Sequence, residues 1–286
     1  MLANGEVPEG VPTPRLVRVT PEIADDLLSR AVVNRRLDQG QVDFLADSII
    51  REEWQLTHQG IALDGSLETG CLLDGQHRLN AITKAGIPVS IYVFEGLPRT
   101  AFPVLDTGKR RSGVDTLSST GEKYLPVLHS TIRHVLLFKN MPDSLWSGNG
   151  ARIANSRILA AYNEGSDMYR EAVLTGRNIS KHVFASQTAV AVGYFVTTEA
   201  APAVKIDSWI EGLTSGANLE MGDSRLALLK VPHVRKRGLN RKYSMREQVA
   251  MYIKAWNAWA RDEKIDNLRF RKAEKMPIPV EVKFER

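Results

Sequence analysis

Residues 72–81 read Leu72-Leu73-Asp74-Gly75-Gln76-His77-Arg78-Leu79-Asn80-Ala81. Two apolar residues run into Asp-Gly, three polar side chains follow, and apolar residues then recur at helical spacing at Leu79, Ala81 and Ile82. This pattern predicts a short strand, a turn at Gly75 and a helix that Gly86 ends before Pro88. A glycine at such a turn lets backbone approach a ligand, because no Cβ stands in the way. The first amides of the helix have no intrahelical partner and carry the positive end of its dipole. A phosphate placed there is stabilised by both effects. Arg78 adds a forked, permanently charged donor, and His77 would donate a hydrogen bond or move a proton near neutral pH. Asp74 fits three roles: metal ligand, proton acceptor or helix cap.

Working outward, residues 1–15 are rich in Pro and Gly and predict a flexible arm. Residues 16–19 read as a strand, and Thr20-Pro21 as a cap with a first-turn proline opening a helix to about Arg30. A second helix is expected over residues 41–54, with Val42, Leu45, Ile49 and Ile50 near one face. Residues 60–63 are strand-like, and Asp64-Gly65 predicts a tight turn that returns Leu72-Leu73 alongside. Residues 88–94 (PVSIYVF) are a β-branched, aromatic strand. From Ser112, with Asp115 three residues on as a helix start, long helical patterns take over: residues 125–139, 153–163, 187–197, 204–213 and 244–262. Extended character returns at residues 268–270 and 278–282. The class is α+β, a small α/β N-terminal domain followed by a mostly α-helical C-terminal region.

With 286 residues, 43% of them hydrophobic and 25% charged, the chain can bury a sizeable core. It has no apolar run of the roughly eighteen residues a membrane span needs, and its start lacks a basic-then-apolar leader pattern. A cytoplasmic protein with no membrane partner is expected. The single cysteine, Cys71, excludes an intramolecular disulfide. The net charge of +5 permits nucleic acid as a partner without demanding it. Between Lys230 and Arg246 the chain holds seven Lys and Arg and no acid. Arg235, Lys236, Arg237, Arg241 and Lys242 are therefore candidate contacts to a phosphate backbone.

A second polar cluster reads Leu105-Asp106-Thr107-Gly108-Lys109-Arg110-Arg111-Ser112. It follows an amphipathic stretch, residues 98–105, for which Gly108 would be the C-terminal cap. If the strand 88–94 pairs beside Leu72-Leu73, this loop would face the Asp74–Arg78 turn across a cleft. Acids for a metal, fixed cations for phosphates and a nearby glycine are what a nucleotide with Mg²⁺ requires. Asp74 and Asp106 would hold the metal. Asp106, Thr107, Gly108, Lys109 and Arg110 would line the nucleotide. The five tryptophans suit helical apolar faces and are read as core, and the histidines show no metal-ligand spacing.

The order of segments adds to this. Asn34-Arg35-Arg36, then LADSI (residues 45–49), then GIALD (residues 60–64) and then LLDGQHRLNAITKAGIPVSIYVF resembles the ParB/sulfiredoxin superfamily over residues 16–115. The match is to the branch with DGQHR or DGHHR in place of ParB's G-E-R-R, as in a phage or mobile-element ParB-like protein. The resemblance implies a ParB/sulfiredoxin-like nucleotide-binding domain at 16–115 and a helical domain at 116–286. It also implies a motif loop that binds nucleotide phosphates. In that superfamily ParB proteins bind and hydrolyse CTP while loading on DNA, sulfiredoxins use ATP, and a related branch phosphorylates free serine. Carried over, Gly75, His77 and Arg78 would bind nucleotide, flanked by Asp74 and Gln76, with Asn34, Arg35 and Arg36 as further contacts. The nucleoside triphosphate implied is CTP or ATP, with Mg²⁺, and any chemistry would fall to Asp74, His77 and Arg78. Two departures matter. Gln76 stands where sulfiredoxins need a cysteine, and neither the later Glu-Asn and Gln-Arg segment of ParB nor a helix-turn-helix is visible.

Two functions follow. One is a ParB-like nucleotide-binding protein acting on or along DNA, with a homodimer as an open option. The other is a Mg-dependent phosphoryl-transfer or phosphodiester-hydrolysing enzyme (kinase, NTPase or nuclease) without stable DNA association. A dead-site interaction module is the third, blander reading.

Overall fold

The structure, a computed structural model, describes residues 14–31, 37–105, 112–201, 203–217, 219–231, 243–271 and 273–282. The chain divides near residue 110 into two compact units, 1–110 and 111–286. The break precedes the expected 115/116 boundary, so the capping box of Ser112 and Asp115 opens the second unit.

The first unit holds β1 (Pro14–Val19), α1 (Pro21–Ser29), α2 (Gln39–Ile50), β2 (Ile61–Leu63), β3 (Leu72–Asp74), α3 (Gln76–Ala85) and β4 (Val89–Phe94). They build a mixed four-stranded sheet in the order β1-β4-β2-β3. β1 pairs antiparallel with β4 from Pro14 opposite Phe94 to Val19 opposite Val89, so Pro14 and Arg15, expected in the arm, already belong to the sheet. β4 runs parallel to β2, which pairs antiparallel with β3. The condition set for the second polar loop to face the turn, β4 pairing beside β3, is not met, because β2 lies between them. Val19, Leu27, Ile49, Ile61, Leu63, Leu79, Ile82, Ile91 and Val93 fill the core.

Thr20 caps α1 as expected, its hydroxyl accepting the Ile23 N–H at 3.3 Å. α2 starts from Asp38, whose carboxylate accepts the Gln41 N–H. It ends at Ile50, before the expected Trp54, because Glu52 turns to a φ of 59°. Trp54 donates instead to the Ser90 carbonyl at 3.2 Å. Ile50, 54% exposed, lies off the buried face, which Val42, Ala46 and Ile49 supply. The link from β2 to β3 is longer than a tight Asp-Gly turn. Asp64 and Cys71 close it through the Asp64 N–H to Cys71 carbonyl bond and the Cys71 N–H to Asp64 carboxylate bond. Gly65 and Gly70 touch at its neck, where a Cβ on Gly70 would sit 2.7 Å from the Gly65 backbone. Residues 99–104 form a 3-10 helix in place of the α-helical turn expected over 98–105.

The second unit is helical: α4 (Gly113–Leu117), α5 (Leu125–Asn140), α6 (Asn155–Ile179), α7 (Gln187–Thr198), α8 (Ala203–Ser215), α9 (Ser224–Lys230) and α10 (Met245–Ala260). α7 is buried on every side from Thr188 to Thr197, which its all-round apolar sequence permits. It packs against α5, α6 and α10. Gly176 of α6 allows a close crossing with α7, since a Cβ there would stand 2.7 Å from the Gln187 carbonyl oxygen. Trp209, Tyr252, Trp256 and Trp259 form a joined aromatic cluster, as the core reading of the tryptophans anticipated. The segments 268–270 and 278–282 form no strand; Val280 and Val282 donate singly to Asn257 and to the Ala200 carbonyl. Among the described residues no helix is long and apolar enough to cross a membrane.

Candidate functional site: the β3–α3 turn

β3 delivers Asp74 to the edge of the sheet opposite Ala62, and the chain then reverses into α3 at Gly75. Gly75 has φ +112° and ψ 5°, a backbone state that an L side chain rarely adopts. A Cβ there would also meet Ile61 Cγ1 at 3.1 Å. Gly75 is the N-cap of α3, and no side chain caps the helix. The cap role left open for Asp74 is thus not taken, and among the described residues no side chain accepts from the first-turn amides of Gln76, His77 and Arg78. Gly75 contributes its carbonyl to the Leu79 N–H at 3.0 Å.

Arg78 and Asp74 lie together, Nη1 to Oδ2 at 3.6 Å, with side chains 17% and 28% exposed. The same Nη1 donates to the Gly60 carbonyl at 2.7 Å, tying the first turn of α3 to the residue before β2. Nε and Nη2 have no partner among the described residues, so part of the fork is still open. His77 Nε2 accepts the Asp38 backbone N–H at 3.1 Å, which places the ring's proton on Nδ1 if the ring is neutral. The imidazole therefore links α3 to the start of α2. Gln76 accepts through its carbonyl from Asn80 Nδ2 at 2.8 Å.

The structure brings Asp74, Gly75, Gln76, His77 and Arg78 into one turn. The remaining sequence candidates lie outside the described residues: Asn34, Arg35 and Arg36; Asp106, Thr107, Gly108, Lys109 and Arg110; and Arg235, Lys236, Arg237, Arg241 and Lys242. Arg246, counted in the basic segment, leaves that set. It is buried, donating to the Pro142 and Glu274 carbonyls and pairing with Asp143. Sequence reasoning did not name Gly60, Ile61 or Asp38 as partners of the turn. Only Asp38 carried a signal, an Asp three residues before Gln41 at a helix start.

A magnesium ion fits the described part of this turn poorly. Asp74 is a single carboxylate with a guanidinium beside it, and no group of three His, Cys, Asp or Glu among the described residues could hold a metal. A phosphate oxygen fits better, because the open amides and the Arg78 fork are all donors. The sequence matches no family model and no curated protein, and the fold matches no solved structure.

Proposed function

We propose that the N-terminal unit binds the phosphates of a nucleoside triphosphate at the β3–α3 turn, and that the protein is a divergent ParB-like protein acting on or along DNA. The observation that carries the nucleotide reading is the start of α3, where Gly75 at φ +112° leaves the first amides without a side-chain cap beside Arg78. The DNA part is supported by the acid-free run of basic residues from Lys230 to Lys242. The enzyme alternative gains no support from the described residues, which pair Asp74 with a cation and give it no second metal ligand.

The test is thermal unfolding against CTP, ATP, GTP and UTP, each with and without Mg²⁺. A ligand at a hundred times its dissociation constant stabilises by about 2.7 kcal/mol, a shift of a few degrees. Arg78→Lys keeps a cation but loses the fork, and should reduce a nucleotide-selective shift. No shift with any nucleotide overturns the phosphate seat. In the second arm, duplex DNA binding should weaken steeply with salt and on charge reversal at Arg235, Lys236 and Arg237. Unchanged affinity removes the DNA reading.

A further inference from the structure

α5 carries a second concentration of basic groups. Arg133 is half-buried, and its Nη2 donates to the Ala151 carbonyl oxygen at 2.7 Å. Its Nη1 lies 3.1 Å from Nε2 of His134, which is buried. His134 Nδ1 lies 2.7 Å from the Ser130 carbonyl, so Nδ1 carries the proton and Nε2 accepts from Arg133. Burial pushes the His134 pKa down to about 4, which keeps the ring neutral at ordinary pH. Both fixed acceptors of the Arg133 guanidinium are thus uncharged.

Three other arginines of this unit each have a carboxylate partner. Arg170 pairs with Glu122, Arg225 with Asp223 and Arg246 with Asp143. Arg133 has no carboxylate partner among the described residues. A half-buried cation without an acid is held at a cost in solvation, and burial lowers its pKa accordingly. One turn earlier, at i−4 on the same face, His129 is also half-buried. Its ring makes no hydrogen bond among the described residues. Gly113 makes room for it, since a Cβ there would fall 2.0 Å from His129 Nε2. Burial, then the charge of Arg133, hold the His129 pKa down.

We propose that Arg133 and His129 form a binding site for a phosphate group. The Arg133 donors not used by His134 and Ala151, with a ring N–H of His129, would take the phosphate oxygens, and the anion would supply the negative charge the cluster lacks. Neutral acceptors suit this role, because they orient the fork without cancelling its charge. A carboxylate in place of His134 would orient it and neutralise it. The inference uses residues of the helical unit alone and stands or falls apart from the nucleotide reading.

The experiment titrates inorganic phosphate into the full chain at constant pH and follows the ring protons of its six histidines by NMR. The His129 and His134 signals should move saturably with phosphate and little with acetate, while His77 reports the β3–α3 turn separately. A parallel response to glycerol phosphate would assign the site to a phosphate ester, and its absence would assign it to the free ion. Arg133→Gln should weaken binding at least tenfold, and His129→Gln several-fold, with the circular dichroism spectrum retained. Should Arg133→Gln fail to fold, His129→Gln carries the test. Signals of His129 and His134 that do not saturate overturn the proposal, as does wild-type affinity in the folded variants.

Discussion

Arg78 and Arg133 are both partly buried arginines on helices, and the two units hold them in opposite ways. In the sheet unit Arg78 has a carboxylate, Asp74, and a main-chain carbonyl, and the helix it stands on begins without a cap. In the helical unit Arg133 has only neutral acceptors among the described residues, while Ser112, Ser186, Asp223 and Ser244 close the starts of α4, α7, α9 and α10 with their own side chains. The first unit leaves positive backbone dipole open beside a paired side chain. The second, whose α5 and α6 also start without a side-chain cap, holds the half-buried Arg133 with no carboxylate partner among the described residues. Open positive potential in a folded chain takes these two forms, and both favour an anion.

The cores differ as well. The sheet unit packs aliphatic residues between short strands and three helices, whereas the helical unit is centred on α7 and an aromatic cluster. Trp209 is fully buried, donates to the Tyr252 hydroxyl at 2.8 Å and meets Trp256 and Trp259. Trp209→Ala should cost the helical unit about 3–5 kcal/mol, against about 2–5 kcal/mol for Ile82→Ala in the sheet unit. Urea unfolding followed by near-ultraviolet circular dichroism checks the first. A loss under about 1 kcal/mol would mean that the aromatic cluster is not the keystone of that core.

The next effect is a pH dependence that His134 gives the helical unit. The folded His134 pKa, about 4, lies below its ordinary value of 6.5, mainly through burial and further through the charges of Arg133 and His129. The unfolded chain therefore binds the proton more tightly. The stabilisation is complete above pH 6.5 and is lost as pH falls toward 4, by about 3 kcal/mol in total. The carboxylates of Glu122, Asp223 and Glu274 have pKa values below the ordinary range and lose their contributions at lower pH. His134→Gln should reduce the slope between pH 6.5 and 4, leaving the part that His129, whose pKa burial also holds down, contributes. An unchanged slope would place the titrating group elsewhere.

Much of this was readable in the sequence where a local cause acts alone. Thr20, Ser112 and Ser244 start helices because their side chains cap them within three residues, and Gly86 ends α3 because it takes a φ of +66°. The strand-turn-helix of Leu72 to Gly86 was legible for the same reason. What failed depended on distant partners. The 64–71 loop is set by Arg30, which donates to the Gly70 and Leu67 carbonyls from another element, and no local pattern announces that. The second half of α6 was missed because Gly165 breaks the helical period, although the chain resumes its helix beyond the kink. α9 was missed because seven residues give too little periodicity. At the site the residue types were legible, but their roles were not. His77 looked like a donor or a proton carrier, and its Nε2 is an acceptor for a backbone amide thirty-nine residues away.

The smallest effect separates those two roles of His77. As a link between α3 and α2, the ring offers one acceptor to an N–H on an exposed residue, Asp38, where water can replace it. His77→Ala should then destabilise the sheet unit by only about 0.5–1 kcal/mol. His77→Gln, whose amide oxygen offers an acceptor on a side chain of comparable reach, should recover part of that loss. Neither substitution would change a nucleotide-selective thermal shift by more than the loss itself, since the α3 amides and Arg78 remain. A proton carrier gives the reverse pattern, with stability hardly altered and any nucleotide turnover abolished by Gln as fully as by Ala. Because Gln restores the hydrogen bond but cannot titrate, the pair of variants assigns His77 either to the architecture of the turn or to its chemistry.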